Sequence, residues 1–152
     1  MKVDRVYTRK VIATTRSSSI SEAAAIMRRF RVGALLVTED GASGGAFPVG
    51  VITDRDLALE GFASETLTVG AAMTPIIATV REGADVHEAL EIMRGHGVRR
   101  LIVNDEHGAV CGIVSVDDIV DGLSADLAAA AAVLRGEIRR DSAGLGDVII
   151  GG

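Results

Sequence analysis

An internal repeat constrains the fold of this chain more than any other feature. Four blocks recur in the same order with the same apolar framework: residues 12–14 as 77–79, 20–28 as 86–94, 32–37 as 98–103, and 50–57 as 112–119. The offset is 65, then 66, then 62 residues, so it changes between the blocks, where loops absorb insertions at little cost. The chain therefore carries a duplicated unit of about 60 residues. Because a unit of that size is marginally stable alone, we expect the two copies to pack on each other.

The apolar spacing predicts strand, helix, strand, strand, helix in each copy. The strands are expected at residues 11–14, 34–38 and 49–53 in unit one, and at 76–80, 101–104 and 110–115 in unit two. The first helix of each unit follows a capping-box pattern, Ser19 with Glu22 and Asp85 with Glu88. We therefore expect an α/β (α+β) fold in which each unit has a small mixed sheet packed by helices.

The segment after unit two predicts a long helix. It should start near Val116, meet a break at residues 122–124 and end near Arg140. Its apolar stripe either packs on its own chain or contacts a second copy, and the spacing favours neither; the stripe is Leu127, Ala131, Leu134 and Ile138. The predicted boundaries are 8–63 for unit one, 70–123 for unit two, 124–140 for a C-terminal helix and 141–152 for a flexible tail.

Composition excludes several classes of function. The 152 residues are 48% hydrophobic, enough for a packed core, but only 3% aromatic, and the net charge is −5. Nucleic-acid polymers call for basic surfaces and stacking aromatics, so we expect no such partner. The longest apolar run falls far short of the roughly 18 residues that cross a bilayer, and the N-terminus has no signal-peptide pattern. We expect a soluble, cytoplasmic protein without membrane contact.

One sequence pattern with chemical potential, Gly-apolar-apolar-Thr/Ser-x-x-Asp, occurs at residues 50–56 and again at 112–118. It joins a strand to a helix N-terminus, where unpaired N–H groups and the helix dipole favour an anion. The hydroxyl can donate to phosphate, the carboxylate can accept from ribose hydroxyls, and the glycine allows close backbone approach. The same pattern is also an ordinary helix cap. From the residues alone, both interpretations stay open.

These motifs together resemble a tandem pair of CBS (cystathionine-β-synthase) domains, a Bateman module, over about residues 8–123. The resemblance rests on the Met-Thr-Pro at 73–75, the His-Gly-Val-Arg-Arg-Leu at 96–101 and both copies of the Gly-x-x-Thr/Ser-x-x-Asp motif. It implies a regulatory sensor rather than an enzyme, binding AMP, ADP, ATP, NAD or S-adenosylmethionine without a required cofactor. It also implies a homodimer that signals to a downstream protein, which the sequence does not identify.

The resemblance further implies two composite clefts, each built from the motif of one unit and strands of the other. Cleft one would contain Val51, Thr53, Arg55, Asp56, Ile77, Ala78, Val98, Arg99 and Arg100. Cleft two would contain Ile113, Ser115, Asp117, Asp118, Ile12, Ala13, Val32, Gly33 and Ala34. Apolar members would sandwich the adenine, the aspartate would hold the ribose, and the hydroxyl with any arginine would take phosphate.

Charge predicts that these clefts differ. Where cleft one has Arg100 and Arg55, cleft two has Ala34 and Asp117. Arginine binds phosphate through paired hydrogen bonds and an unpaired carboxylate repels it. Cleft one is therefore expected to prefer AMP, ATP or NAD. Cleft two is expected to bind phosphates more weakly or to prefer an uncharged or cationic adenosyl group.

Two other functions compete with this one. The first is a scaffold whose clefts bind nothing. The second is a Mg-dependent nucleotide-processing enzyme using Asp54 and Asp56, but unit two has Val116 in the place of Asp54 and no P-loop motif is present. We expect no catalytic residue and no metal site, since His87, His96 and His107 are isolated in the sequence, and we expect the lone thiol, Cys111, to be buried and inert.

Overall fold

A computed structural model describes residues 1–42, 44–61, 66–76 and 78–144. The first half contains a 3-10 turn (Val3–Arg5), β1 (Ala13–Thr15), α1 (Ile20–Phe30), β2 (Ala34–Asp40), β3 (Ala46–Thr53) and α2 (Asp54–Gly61). The second half contains α3 (Val69–Ala72), β4 (Thr74–Pro75), β5 (Thr79–Arg81), α4 (Val86–His96), β6 (Arg100–Asn104), β7 (Val110–Ser115) and α5 (Val116–Gly144).

The strands form two small mixed sheets, which confirms the predicted fold class. One sheet has the order β1-β2-β3-β4 and the other the order β5-β6-β7. In each sheet the first pair is parallel and the second antiparallel. The helix between the parallel strands covers one face, burying Ala23 and Met27 of α1 and Ala89 and Met93 of α4. The β-α-β-β-α order of each unit is therefore as the apolar spacing predicts.

Each unit is completed by the opening segment of the other. Val69 of α3 is fully buried in the core of unit one, and the next strand pairs Thr74 with Val51. Val3 is fully buried in the core of unit two, and Thr8 bridges to Ile113. The two units are therefore intertwined. The sequence comparison missed this exchange, because the segments around Val3 and Val69 share too few identical residues to be recognised as a repeat.

The pairing of the first strands corrects the repeat alignment by one residue. Ala13 lies opposite Leu36, and Thr79 lies opposite Ile102, so Ala13 and Thr79 are equivalent at an offset of 66. The identical Ile-Ala-Thr triplets suggest an offset of 65, which would make Ala78 the equivalent of Ala13. A slip of one residue in a strand exchanges its two faces, so the residue equivalent to Ile12 is Ala78 and not Ile77.

A third apolar cluster joins the two units. Leu36, Val51 and Ile102 are its buried centre, with partly buried residues from both units around them: Val11, Ala34, Ile76 and Ile113. The cluster draws on β2 and β3 of one sheet and on β6 and β7 of the other. The two clefts described below share residues with it, so their shape depends on how the units pack.

The helix termini are partly as expected. Ser19 and Glu22 form the predicted capping box, with both reciprocal hydrogen bonds at 2.9 and 3.1 Å. Asp85 does not follow the predicted box with Glu88. Its carboxylate accepts from the His87 amide at 2.9 Å and from the amine of Met1 at 3.3 Å. The His87 amide and the Met1 amine therefore donate to Asp85 in place of the Glu88 amide that the pattern predicts.

The last helix is continuous where a break was expected. Gly122 lies inside α5, and a Cβ there would lie 2.5 Å from Val6, so this glycine serves close packing of the N-terminal segment. Leu127 and Leu134 are 73% and 60% exposed, so they do not pack on their own chain. The side chain of Ile138 and residues 145–152 of the predicted tail lie outside the described part, while 141–144 are helical.

Candidate functional site

Two cavities open between the units at equivalent places. Cleft two has a volume of about 330 Å³ and is lined by Thr8, Lys10, Val11, Ile12, Val32, Gly33, Ala34, Leu36, Arg100, Ile113, Ser115 and Asp118. Cleft one has a volume of about 260 Å³ and is lined by Val51, Thr74, Pro75, Ile76, Gly97, Val98, Arg99 and Arg100. Small-molecule sites range from roughly 300 to 1,000 Å³, so cleft two reaches that range and cleft one falls below it.

Cleft two brings together most of the residues assigned to it from the sequence. Seven line it: Ile12, Val32, Gly33, Ala34, Ile113, Ser115 and Asp118. Ala13 does not, because successive side chains of an extended segment point to opposite faces and Ile12 is the one that faces the cavity. Asp117 does not either: it is exposed and pairs with Arg99 at 3.4 Å.

Cleft one is less complete. Val51, Val98, Arg99 and Arg100 line it as expected. Four other assigned residues, all within the described part, do not: Thr53, Arg55, Asp56 and Ala78. Ile77 lies outside the described residues.

Sequence reasoning missed five residues of cleft two: Thr8, Lys10, Val11, Leu36 and Arg100. Thr8 and Lys10 belong to the exchanged opening segment, whose contribution becomes visible only when Thr8 is seen to bridge to Ile113. The signal that could have found them is the equivalence of Thr8 with the Thr of the Met-Thr-Pro triplet, since Thr74 lines cleft one.

Substitutions within the repeat explain why cleft one is smaller. The positions of Gly33 and Ala34 in cleft two are those of Arg99 and Arg100 in cleft one. Two long side chains thus occupy space that a glycine and an alanine leave open. At these two positions of the repeat, the larger cavity has the smaller side chains.

The repeated motif forms a helix cap in unit one. Asp56 accepts a hydrogen bond from the Thr53 amide at 2.9 Å, and the Asp56 amide donates to the Thr53 hydroxyl at 3.2 Å. The Asp54 amide donates to the Gly33 carbonyl at 3.0 Å. The Arg55 amide donates to the Asp54 carboxylate at 2.8 Å. All four N–H groups of this turn therefore have protein partners, which favours the helix-cap interpretation of the motif, and the anion site at the start of α2 stays a prediction.

Unit two repeats this cap with one extra bond. The amide and the hydroxyl of Ser115 both donate to Oδ2 of Asp118, at 2.8 and 2.7 Å, and the Asp118 amide donates back to the hydroxyl at 3.1 Å. The Val116 amide donates to the carbonyl of Arg99 at 2.9 Å. The second oxygen of Asp118, Oδ1, makes no hydrogen bond to any residue within the described ranges. The cap therefore fixes a carboxylate on the wall of cleft two and leaves one oxygen available.

The motif glycines pack against protein rather than leaving room for a ligand. A Cβ on Gly112 would lie 2.2 Å from the ring of Tyr7, and a Cβ on Gly50 would lie 2.6 Å from the sulfur of Met73. Tyr7 and Met73 belong to the two exchanged segments. Burial, followed by hydrogen bonding with Cys111 and Glu82, raises the pKa of Tyr7 to about 12.

The expected charge contrast between the clefts is not found in the residues that line them. Arg100 lines both cavities, so it is not a feature of cleft one alone. Lys10 adds a second cation to cleft two, while Asp117 and Arg55 lie off the cavity walls. Cleft two thus carries two cations and Asp118, and the premise that it repels phosphate does not hold.

Three other sequence predictions concern the carboxylates Asp54 and Asp56, the lone thiol of Cys111 and the membrane. The carboxylates of Asp54 and Asp56 accept from different backbone amides, and within residues 1–42, 44–61, 66–76 and 78–144 no three His, Cys, Asp or Glu side chains are grouped to hold a metal ion. Cys111 is half-buried, 3.3 Å from the Val103 carbonyl, instead of fully buried. Over the same residues, no helix has the length and apolarity to cross a membrane.

Comparison with known proteins is consistent with the intertwined repeat. The family model described as "CBS domain" matches residues 3–61 and 69–125, and these ranges begin at the equivalent residues Val3 and Val69.

Curated relatives cover most of the chain. The uncharacterized protein MK0525 of Methanopyrus kandleri is 30% identical over 124 residues, which are 79% of this chain and 61% of that protein. The uncharacterized protein YlbB of Bacillus subtilis is 34% identical over 122 residues, 78% of this chain and 79% of YlbB. The inosine-5'-monophosphate dehydrogenase of Mycobacterium leprae is 33% identical over 103 residues, 68% of this chain but only 18% of the enzyme.

Solved structures share the architecture. The CBS domain pair of protein MJ0100, in complex with 5'-methylthioadenosine and S-adenosyl-L-methionine, is 25% identical with a TM-score of 0.64, covering 83% of this chain and 98% of that one. CBSX2 in complex with AMP is 26% identical with a TM-score of 0.55, covering 80% and 95%. With its two matched segments and its YlbB-like sequence, this chain belongs to the CBS domain family.

Proposed function

We propose that this protein is a regulatory module that senses an adenosine-containing ligand bound in cleft two. The observation that carries the proposal is the placement of Asp118: its carboxylate is fixed by Ser115 on the wall of a cavity that also holds Lys10 and Arg100. The equivalent carboxylate, Asp56, makes the same cap but does not line cleft one.

The lining of cleft two divides into three chemical parts. Small apolar side chains offer a slot for the adenine ring: Val11, Ile12, Val32 and Ile113. Oδ1 of Asp118 accepts hydrogen bonds from ribose hydroxyls, because an ionised carboxylate is an acceptor only. Lys10 and Arg100 take the phosphate, for which a guanidinium offers paired donors. The three parts match the three parts of a nucleotide.

The charge of the cleft favours one group among the adenosine ligands. With two cations near the phosphate position, AMP, ADP, ATP and NAD are favoured over S-adenosylmethionine, whose sulfonium is positive. Similar proteins support the general class, since MJ0100 is in complex with 5'-methylthioadenosine and S-adenosyl-L-methionine and CBSX2 with AMP. AMP, the smallest of the favoured set, best suits a cavity of about 330 Å³.

The signal follows from the position of the cleft. Cleft two shares Val11, Ala34, Leu36 and Ile113 with the cluster that joins the units, so a ligand that binds one packing of the units better than another shifts the balance between them. The exposed apolar residues of α5 then transmit the change to a second copy or to a downstream protein. The ligand is bound and released unchanged, and no catalysis or resident cofactor is part of the proposal.

A thermal-shift screen tests the function. AMP, ADP, ATP, NAD, S-adenosylmethionine and adenosine are each added to the full chain, with guanosine monophosphate as a control for the base. A ligand at 100 times its dissociation constant stabilises by about 2.7 kcal/mol, a clear rise in melting temperature. We expect AMP to raise it most. The absence of a shift with every adenosine compound would favour the scaffold function.

A further inference from the structure

We infer that Arg100 is shared by the two clefts, so that phosphate-bearing ligands in the two clefts compete for one guanidinium. The inference rests on the proposed function and extends it to the regulation of the same sites. It starts from the observation that Arg100 lines both cavities.

The position of Arg100 in the sheet explains how one side chain reaches both. Its backbone lies opposite Ser115, which belongs to the wall of cleft two, while its neighbours Val98 and Arg99 line cleft one. The equivalent residue, Ala34, lies opposite Thr53 in the same way but lines cleft two only. The position therefore lies between the clefts, and a long side chain there contacts both where a methyl group contacts one.

Arg100 is also free to bind. It is half-buried, and its guanidinium has no ion pair or hydrogen bond with any residue that the structure describes. Arg99 is different: it is 70% exposed and engaged with Asp117 at 3.4 Å. Of the two adjacent arginines, the unpaired one is at the junction of the two cavities.

Sharing has a thermodynamic consequence. One guanidinium forms its paired hydrogen bonds with one phosphate at a time, so the first nucleotide to bind removes this partner from the other cleft. A charged hydrogen bond of this kind corresponds to about tenfold or more in affinity. AMP should therefore bind the two clefts with negative coupling, equal in both directions. Adenosine has no phosphate to claim Arg100 and should bind without this coupling.

A titration followed by amide NMR tests the coupling, with the Gly33 amide as reporter for cleft two and the Gly97 amide for cleft one. AMP and adenosine are titrated into the native chain and into Asp118→Ala, in which cleft two is impaired. We expect the AMP dissociation constant at Gly97 to be about tenfold lower in Asp118→Ala than in the native chain. For adenosine, the constant at Gly97 should not differ between the two.

Other variants separate coupling from loss of the cap. Lys10→Ala weakens AMP in cleft two without touching the Ser115 cap, and should shift the Gly97 constant in the same direction as Asp118→Ala. In an Arg100→Ala background neither change should affect Gly97, whereas in Arg99→Ala the effect should persist.

Equal AMP constants at Gly97 in the native chain and in Asp118→Ala would overturn the shared-arginine inference alone. Absence of any shift at Gly33 with both AMP and adenosine would overturn the proposed function and the inference with it.

Discussion

The two clefts come from one duplicated unit, yet they differ in size and in chemistry. Cleft two is about 330 Å³ and carries Asp118 on its wall, whereas cleft one is about 260 Å³ and does not carry Asp56. The main change between them is a Gly-Ala pair in one copy of the repeat and an Arg-Arg pair in the other. Duplication supplies two clefts, and substitution at two adjacent positions accompanies their difference in size.

The comparison also separates structural from binding roles within one motif. Both copies of Thr/Ser-x-x-Asp make a reciprocal cap at a helix start. Only the copy whose facing strands carry small side chains leaves its carboxylate on a cavity wall. The motif is therefore a cap in both units, and whether its carboxylate also faces a cavity depends on the other unit.

The largest expected effect concerns the exchanged segments. Gly112→Ala would place a Cβ 2.2 Å from the Tyr7 ring, and Gly50→Ala would place one 2.6 Å from the sulfur of Met73 and 2.7 Å from the carbonyl oxygen of Thr74. Overpacking of this kind destabilises by about 1–3 kcal/mol, and we expect about 3 for Gly112→Ala and about 2 for Gly50→Ala. Urea unfolding followed by circular dichroism measures both, with Gly83→Ala, where a Cβ meets nothing, as the control. Equal stability of all three variants would contradict the intertwined fold.

A smaller effect, on AMP affinity, is expected from removing a cation that lines cleft two but not cleft one. Lys10 lines cleft two, and the equivalent position in unit two is Ile76. Lys10 is exposed, so Lys10→Ala should cost about 0.5–1 kcal/mol of AMP binding, a factor of about two to five. Calorimetry at two salt concentrations checks this, since screening should shrink the difference. Adenosine binding should stay the same, and an equal loss for adenosine would show that Lys10 does not contact phosphate.

An effect seen only at alkaline pH is a loss of stability confined to unit two. Burial raises the pKa of Tyr7 to about 12 from 10, so between these values the unfolded chain has lost a proton that the folded chain keeps. The unfolded state then binds fewer protons, and stability should fall as pH rises from about 10 to 12. Tyr7→Phe should remove this part of the decline. The chain has one tyrosine, so phenolate absorbance reports it directly, and ionisation near pH 10 in the folded protein would contradict the burial.

Local patterns predicted much of this fold because they depend on neighbouring residues. The helix cap at Ser19, the strands and the repeat all follow from apolar spacing and capping chemistry. The register of β1 did not, since an identical Ile-Ala-Thr triplet outweighed the correct pairing of Ala13 with Leu36. Three identical residues are too few to fix the register, which is set by the backbone pairing of β1 with β2.

Features that depend on tertiary contact were beyond the sequence. By contrast, Ser115 lies only three residues from Asp118, so the sequence pattern could predict the cap between them. The exchange of Thr8 and Thr74 between units, and the reach of Arg100 into both cavities, depend on how the sheets pack. The expected charge contrast is absent for that reason: the prediction assigned each side chain to one cleft, whereas Arg100 lines both.

Isothermal calorimetry of AMP with Asp118→Ala and Asp56→Ala tests the central claim most directly. The two variants lose the same reciprocal cap, about 1 kcal/mol of stability each, and differ only in the extra Ser115 hydroxyl bond to Asp118, so each serves as a control for the other. Loss of a charged acceptor should weaken the tighter AMP step by about 10- to 100-fold in Asp118→Ala, and Asp56→Ala should leave that step unchanged. Loss of that step in Asp56→Ala with full retention in Asp118→Ala would contradict the assignment of the ligand to cleft two.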